Sequence, residues 1–304
     1  MVILVSCTTD NENVEMNVQD VKQISVNIEG LVSVDDASSR VIRNDEGKMV
    51  WERNDTLGIF PNVGGQVEFP IDEKNVGTLN ATFNGGGWAL KSNYSYSAYS
   101  PFNFYNRNVE AVPFSYDGQV QNGNNSVSHI GKKYFMASAP AKAVDGSLVF
   151  SMGHRGALTE LALTLPEART YTSVDIYTSE VILPIEVTFN LQTNPVEQKN
   201  VRYSNHYSLK LNNVKTTAAN EVVTVWFTTP AIVDKTKTLK AVVRDSQNFV
   251  YVADIITSSG AIATVNFPAK GKRELKASPV LTDGFQAVLG DWIIDGQNYN
   301  GEAI

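Results

Sequence analysis

Ala157-Leu158-Thr159-Glu160-Leu161-Ala162-Leu163-Thr164-Leu165 places Leu161, Leu163 and Leu165 two residues apart, with Ala162 and Thr164 between them. A spacing of two puts the leucines on one face of an extended chain, so the stretch reads as a strand with that face on a core. His154-Arg155-Gly156 breaks the pattern just before it; upstream, Leu148, Phe150 and Met152 alternate in the same way and end at Gly153. One run of strands closes there and another starts afresh, which places a domain seam between residues 155 and 156.

Downstream, strand patterns recur over Val174 to Tyr177, Ile185 to Leu191, Tyr207 to Leu211, Val222 to Phe227, Leu239 to Val243, Phe249 to Ile256 and Ile262 to Phe267. Pro166, Pro184, Pro195, Pro230 and Pro268 punctuate them, as proline does at strand ends and edges. Seven short strands with such turn signals predict a β-sandwich. Upstream, Ile24, Val26 and Ile28 alternate up to Gly30, and Asp55 to Pro61 is a short strand closed by proline. Leu79, Ala81 and Phe83 lead through Gly85-Gly86-Gly87 into Trp88-Ala89-Leu90, which reads as a hairpin; Tyr94, Tyr96 and Ala98 run on to Pro101. Phe102 to Lys133, rich in Asn and Gly, reads as a surface excursion with at most short strands. Nowhere does the pattern support a helix of three turns. The fold class expected is all-β, two tandem β-sandwich domains over residues 23–155 and 156–304.

The totals agree with two cores. A chain of 304 residues exceeds what one hydrophobic core usually serves, and 42% hydrophobic residues can fill two. Net charge is −7, with no basic cluster to displace counterions from phosphate, which argues against nucleic acid as a partner. No later apolar run approaches the roughly 18 residues of a membrane span, so the body is expected to be soluble.

The single cysteine sits in Ile3-Leu4-Val5-Ser6-Cys7, the pattern of a bacterial lipobox, in which a signal peptidase cuts before the Cys and acyl chains are attached to it. Residues 1–6 read as a signal-peptide remnant whose basic leader is lost through a start assigned too far downstream. Residues 7–22, polar and without periodicity, read as a lipidated tether. One cysteine allows no internal disulfide, so stability rests on packing.

Catalytic constellations are not found. The three histidines, His129, His154 and His206, lie far apart, and His-Glu-x-x-His, Gly-x-Ser-x-Gly and a second cysteine are all missing. His154 reads as a structural hydrogen-bonding residue, and His129 and His206 as surface residues. Nothing supplies the three or four ligands of a zinc site, and Asp291, Asp295 and Asn298 lack the spacing of a calcium loop, so no metal, cofactor or enzymatic activity is expected. The densest aromatic cluster, Tyr94, Tyr96, Tyr99, Phe102, Phe104 and Tyr105, reads first as core, although aromatic faces backed by polar groups could also bind a glycan or a host protein. After Pro279, Phe285 to Leu289 and Trp292 to Ile294 are apolar patches, with no obvious pairing segment after them.

Taken together, the lipobox at Cys7, Ser39-Arg40 before Trp51, the strand Asp55 to Phe60, Tyr96 to Pro101, Tyr134 to Ala137 and the seam Val149 to Leu158 resemble the fimbrillins, lipoprotein pilins of Bacteroidota. The resemblance runs in order through nearly the whole mature chain. It implies two transthyretin-like β-sandwiches, exported as a lipoprotein to the outer membrane and displayed at the cell surface in a fimbria. It also implies an Arg-directed cut after the first strand, and filling of the vacated groove by a strand of another pilin subunit.

Carried onto this chain, Ile24, Val26 and Ile28 belong to the strand that leaves, and Arg40 or Arg43 marks the cut. Phe285, Val288, Leu289, Trp292 and Ile294 belong to the candidate donor strand, which Gly290, Gly296 and Gly301 interrupt. The competing expectation is a monomeric surface lipoprotein that keeps its first strand and lipid and binds a glycan or host protein through the aromatic cluster.

Overall fold

The computed structural model describes residues 20–33, 50–83, 90–282, 292–294 and 297–299. The first run of strands is β1 (Gln23–Ile28), β2 (Val32–Ser33), β3 (Thr56–Pro61), β4 (Val67–Pro70), β5 (Asn80–Phe83), β6 (Ser95–Ser100), β7 (Val112–Ser115), β8 (Gln119–Asn122), β9 (Met136–Lys142) and β10 (Ser147–His154). A 3-10 turn at Glu73–Asn75 and a single helical turn, α1 (Ile130–Lys133), interrupt it. The second run is β11 (Gly156–Leu165), β12 (Thr170–Tyr177), β13 (Leu183–Asn190), β14 (Glu197–Ser204), β15 (His206–Lys215), β16 (Glu221–Pro230), β17 (Ile232–Thr238), β18 (Lys240–Asp245), β19 (Val250–Asp254), β20 (Ile256–Thr257), β21 (Thr264–Phe267), β22 (Gly271–Ala277) and β23 (Val280–Leu281). Two short strands follow, β24 (Trp292–Ile294) and β25 (Gln297–Tyr299). Strand dominates, at 59% against 3% helix, as the alternation predicts. The glycine hairpin expected over residues 84–89 lies outside the described residues.

Strand order explains where the cores lie. Seven strands form one sheet in the order β4-β3-β6-β9-β10-β1-β5, and Ile24, Val26, Leu57, Ile59, Leu148, Phe150 and Met152 share a core against it. In the second run β11 is central, antiparallel to β16 and parallel to β22. Its period of two works as the sequence requires: Leu161, Leu163 and Leu165 are at most 1% exposed and enter the large core with Tyr171, Val174 and Val225. Leu158, of opposite parity, joins a separate cluster with Leu31, Ile130, Tyr134 and Trp226.

Residues 102–133 are not a surface excursion. β7 pairs with β13 and β8 with β15, so this polar stretch adds strands to two sheets of the second run. Val112 and Tyr116 are buried with Phe135, Val187 and Phe189, in a core that draws on both sides of residue 155. Polar composition misleads here because the glutamines act as backbone mimics. Gln119 accepts from Thr228 N–H at 2.9 Å and donates to Thr228 C=O at 2.8 Å; Gln121 does the same with Trp226 N–H (3.1 Å) and Thr224 C=O (3.0 Å). An amide carries both a donor and an acceptor, so two of them continue the ladder along the open edge of β16 and leave fewer unpaired backbone groups there. His129 follows suit: it is 9% exposed and its Nε2 donates to the Trp226 carbonyl at 3.0 Å, so it is an interior residue, not a surface one.

Gly156 starts β11 at a point of close approach. A Cβ there would lie 2.1 Å from the Thr229 carbonyl oxygen and 2.8 Å from the Tyr116 hydroxyl, and the backbone contact leaves no flexible side chain to give way. Gly156→Ala is therefore expected to destabilise the protein by about 1–3 kcal/mol, the usual range for overpacking. Urea midpoints of the two chains check this; an unchanged midpoint contradicts the contact.

Candidate functional site

β1 lies between two strands that are remote from it in sequence. It runs parallel to β10, with Ile24 opposite Leu148, Val26 opposite Phe150 and Ile28 opposite Met152. On its other side it runs antiparallel to β5, with Ile24 opposite Phe83 and Val26 opposite Ala81. Ile24 is 2% exposed and Val26 fully buried, and such burial contributes roughly 1.5–3 kcal/mol for each side chain. β5 ends the sheet, so among the described residues its strand pairing there is with β1 alone. Removing β1 would open the edge of β10, deprive β5 of its ladder and uncover the apolar row Leu148, Phe150 and Met152.

Both ends of the strand are tied. Before it, Asp20 pairs with Lys91, Val21 N–H donates to Leu90 C=O and Lys22 N–H to Gly146 C=O, each backbone bond 2.7 Å long, so residues 20–22 are bonded to the body. After it, Glu29 N–H donates to the Met152 carbonyl at 2.9 Å. The Glu29 carboxylate accepts from Ser151 Oγ at 2.8 Å and forms an ion pair with Lys270. Leu31, 3% exposed, then enters the cluster with Tyr134 and Trp226, and β2 pairs parallel with β22 at Gly271 and Lys272. The segment from Asp20 to Ser33 thus engages the seven-stranded sheet and, through Lys270, Leu31 and β2, the strands beyond residue 156 as well.

Burial pushes the Glu29 carboxyl up, but the hydrogen bonds from Lys270 and Ser151, with the positive charges of Lys270 and Arg155, outweigh it and hold the group below the usual carboxylate range. His154, at the end of β10, is fully buried and stacks on Tyr134 with ring centroids 4.0 Å apart. Neither of its ring nitrogens has a hydrogen-bond partner among the described residues, so its role is stacking and not the hydrogen bonding expected from sequence. Burial, helped by Arg155 and Lys270, pushes it down to about 3, and it stays neutral at ordinary pH. His206 is partly buried, with Nδ1 against Asn205 Oδ1 at 2.8 Å, and burial lowers it too.

Of the residues singled out by sequence, Ile24, Val26 and Ile28 come together in this slot. Cys7, Arg40 and Arg43 lie outside the described residues, as do Phe285, Val288 and Leu289. Trp292 and Ile294 are in β24, which pairs with β14, Trp292 opposite Ser204 and Ile294 opposite Arg202, and with β25. The expectation that nothing after Trp292 to Ile294 pairs with them is overturned by β25, whose main-chain bonding requires no side-chain pattern that a periodicity reading could detect. The aromatic cluster divides: Tyr96 and Tyr99 are at most 1% exposed, whereas Phe104 and Tyr105 are 61% and 82% exposed. Glu29, Leu31 and Lys270 have no motif of their own; the only available signal was an acid directly following an alternating strand. Among the described residues no three His, Cys, Asp or Glu side chains are grouped as a metal site requires, and no helix is long and apolar enough to cross a membrane.

No family model matches the sequence, and no curated protein matches it. Solved structures do match. A putative cell adhesion protein from Bacteroides ovatus superimposes with a TM-score of 0.51 at 14% identity, over 86% of this chain and 95% of that one. One from Bacteroides uniformis gives 0.46 at 10% identity, over 77% and 93% of the two chains. The fimbrial anchor protein Mfa2 from Porphyromonas gingivalis gives 0.36 at 10% identity, over 92% and 99%. At these identities the likeness is one of fold, and it is carried by the Bacteroides ovatus protein.

The lowered Glu29 value fixes the sign of a pH effect. A carboxylate held below its unfolded value of about 4.5 adds stability above that pH, and the addition is lost as pH falls through the folded value. Both partners are about one third exposed, so the pair contributes about 0.5–1 kcal/mol. Glu29→Gln is expected to lower the unfolding free energy from urea titration at pH 7 by that amount, with a smaller gap at pH 4. A gap of constant size would contradict the Glu29–Lys270 pairing.

Proposed function

We propose that this chain is a structural subunit of a cell-surface fimbria, of the fimbrillin kind, and that the β1 slot is where one subunit receives another. The observation that carries the reading is the position of β1, a strand from the start of the chain set between β10 and β5 and parallel to β10. The fold likeness to a putative cell adhesion protein, together with the fimbrillin resemblance of the sequence, supports a place at the cell surface.

On this reading Cys7 carries the lipid that holds the exported chain at the outer membrane, and a protease cuts after Arg40 or Arg43. The cut frees Asp20 to Ser33 with its lipid. A strand from a neighbouring subunit then enters beside β10, its backbone restoring the ladders to β10 and β5 and its alternate side chains filling the places of Ile24 and Val26. The donor is the tail from Phe285 to Ile304, and Trp292 to Ile294 must leave β14 and β25 to serve. Because slot and tail are different surfaces, the contact is head-to-tail and repeats into a filament. The division into domains 23–155 and 156–304, each a transthyretin-like sandwich with β7 and β8 of the first lent to the sheets of the second, belongs to the same proposal, as does the lack of a catalytic step.

Intact mass and N-terminal sequencing of the protein recovered from its native cell surface test the reading. A lipid-free chain beginning at Val41 or Asn44 is the expected result. A chain still beginning at an acylated Cys7 would contradict the cut and the exchange that follows from it.

A further inference from the structure

The loop after β6 is pinned from the interior. Tyr99, fully buried, donates its hydroxyl to Gln66 Oε1 at 2.6 Å and accepts from Asn103 N–H at 3.2 Å and Asn106 Nδ2 at 3.1 Å. Gln66 Nε2 in turn donates to the carbonyls of Asn103 (2.8 Å) and Asn106 (2.7 Å). Two side chains, Tyr99 in β6 and Gln66 just before β4, thus fix the backbone on which Phe104 and Tyr105 stand exposed, edge to face at 5.8 Å. A loop whose only task was to close the chain would have no need to hold two large rings in water.

Beside these rings lies an open cleft of about 590 Å³, within the size range of small-ligand sites. Its polar groups are single and separately placed. Asn103 Oδ1 is taken by Tyr105 N–H at 2.9 Å, which leaves the Asn103 amide nitrogen as a donor. Asn106, 3% exposed, lines the cleft with its Oδ1 unpartnered among the described residues. Lys132 is exposed and has no ion-pair partner among the described residues, while Lys133 is engaged by the Asp117 carbonyl. Arg107 lies over the Phe104 ring at 4.7 Å, and Glu68 is the one carboxylate in the lining. In a chain of net charge −7, this rim is locally cationic.

We propose that the cleft binds a carbohydrate bearing a carboxylate. The C–H face of a sugar ring lies on Tyr105, a hydroxyl bonds to the Asn103 amide, and the carboxylate pairs with Lys132. A flat apolar partner would leave the Asn103 amide and Lys132 unused. Gln66 and Tyr99 are positioning residues. The β1 slot shares no residue with the cleft, so binding here does not depend on the fimbrial reading.

Saturation-transfer NMR on the whole chain tests this with two acidic probes, sialyllactose and a hyaluronan tetrasaccharide, and lactose as the neutral one. Transfer to at least one acidic probe, stronger than to lactose, is expected. Tyr105→Ala and Lys132→Gln should each weaken binding about tenfold with the thermal melt unchanged, and Glu68→Gln should leave binding intact or tighten it. Gln66→Ala should weaken binding while Tyr105 is still present. No transfer to either acidic probe, equal transfer to all three, or affinity unaffected by Tyr105→Ala and Lys132→Gln would overturn the proposal.

Discussion

The parallel ladder between Gln23–Ile28 and the strand Ser147–His154 is the contact on which the first half of the molecule depends. It joins the beginning of the described chain to residues about 120 positions later, and without it Asn80–Phe83 loses its strand partner among the described residues. Loop-closure entropy makes such a contact expensive to form early, since its partners must be brought from far along the chain before any bond is gained. A strand held in this way is bonded on both sides yet joined to the body covalently only through its own flanks. Its replacement by another strand with the same alternation would change no bond type in the sheet, which is the physical ground of the proposed exchange.

The segment is also tied to the second half, through the Glu29–Lys270 pair, the Leu31 side chain and the short pairing of Val32–Ser33 with Gly271 and Lys272. Release of the first strand therefore disturbs both halves. Leu158 and Trp226 lose Leu31 from their cluster, and Gly271 loses a backbone partner. An incoming strand that reached only Ile24 and Val26 would leave these downstream places unfilled. A full exchange calls for an occupant that continues beyond the sheet.

Much of the fold was legible because half-buried strands write their period into the sequence. Leu161, Leu163 and Leu165 identify their strand directly, and Ile24, Val26 and Ile28 identify the slot's occupant. What the period cannot say is which strand lies beside which, so the parallel partner of β1 and the pairing of Trp292–Ile294 were not foreseeable. Strands were also missed where buried positions carry charge. Gly271–Ala277 reads as polar, yet Lys272 is 6% exposed because it pairs with Glu160 and Glu274, and Arg273 is 1% exposed and donates to the Thr264 carbonyl at 2.8 Å. In the same way Gln119 and Gln121 look like loop residues while they serve as the edge of a sheet.

Amide hydrogen exchange along Ser147–Met152, followed before and after treatment of the whole protein with an Arg-specific protease, addresses the central claim most directly. The account predicts slow exchange in the uncut chain, fast exchange in the cut monomer once Asp20 to Ser33 has left, and slow exchange again in the polymer. Persistent protection in a cut protein that stays monomeric would contradict it, because the first strand would then be a permanent member of the sheet and not a place held for a neighbour.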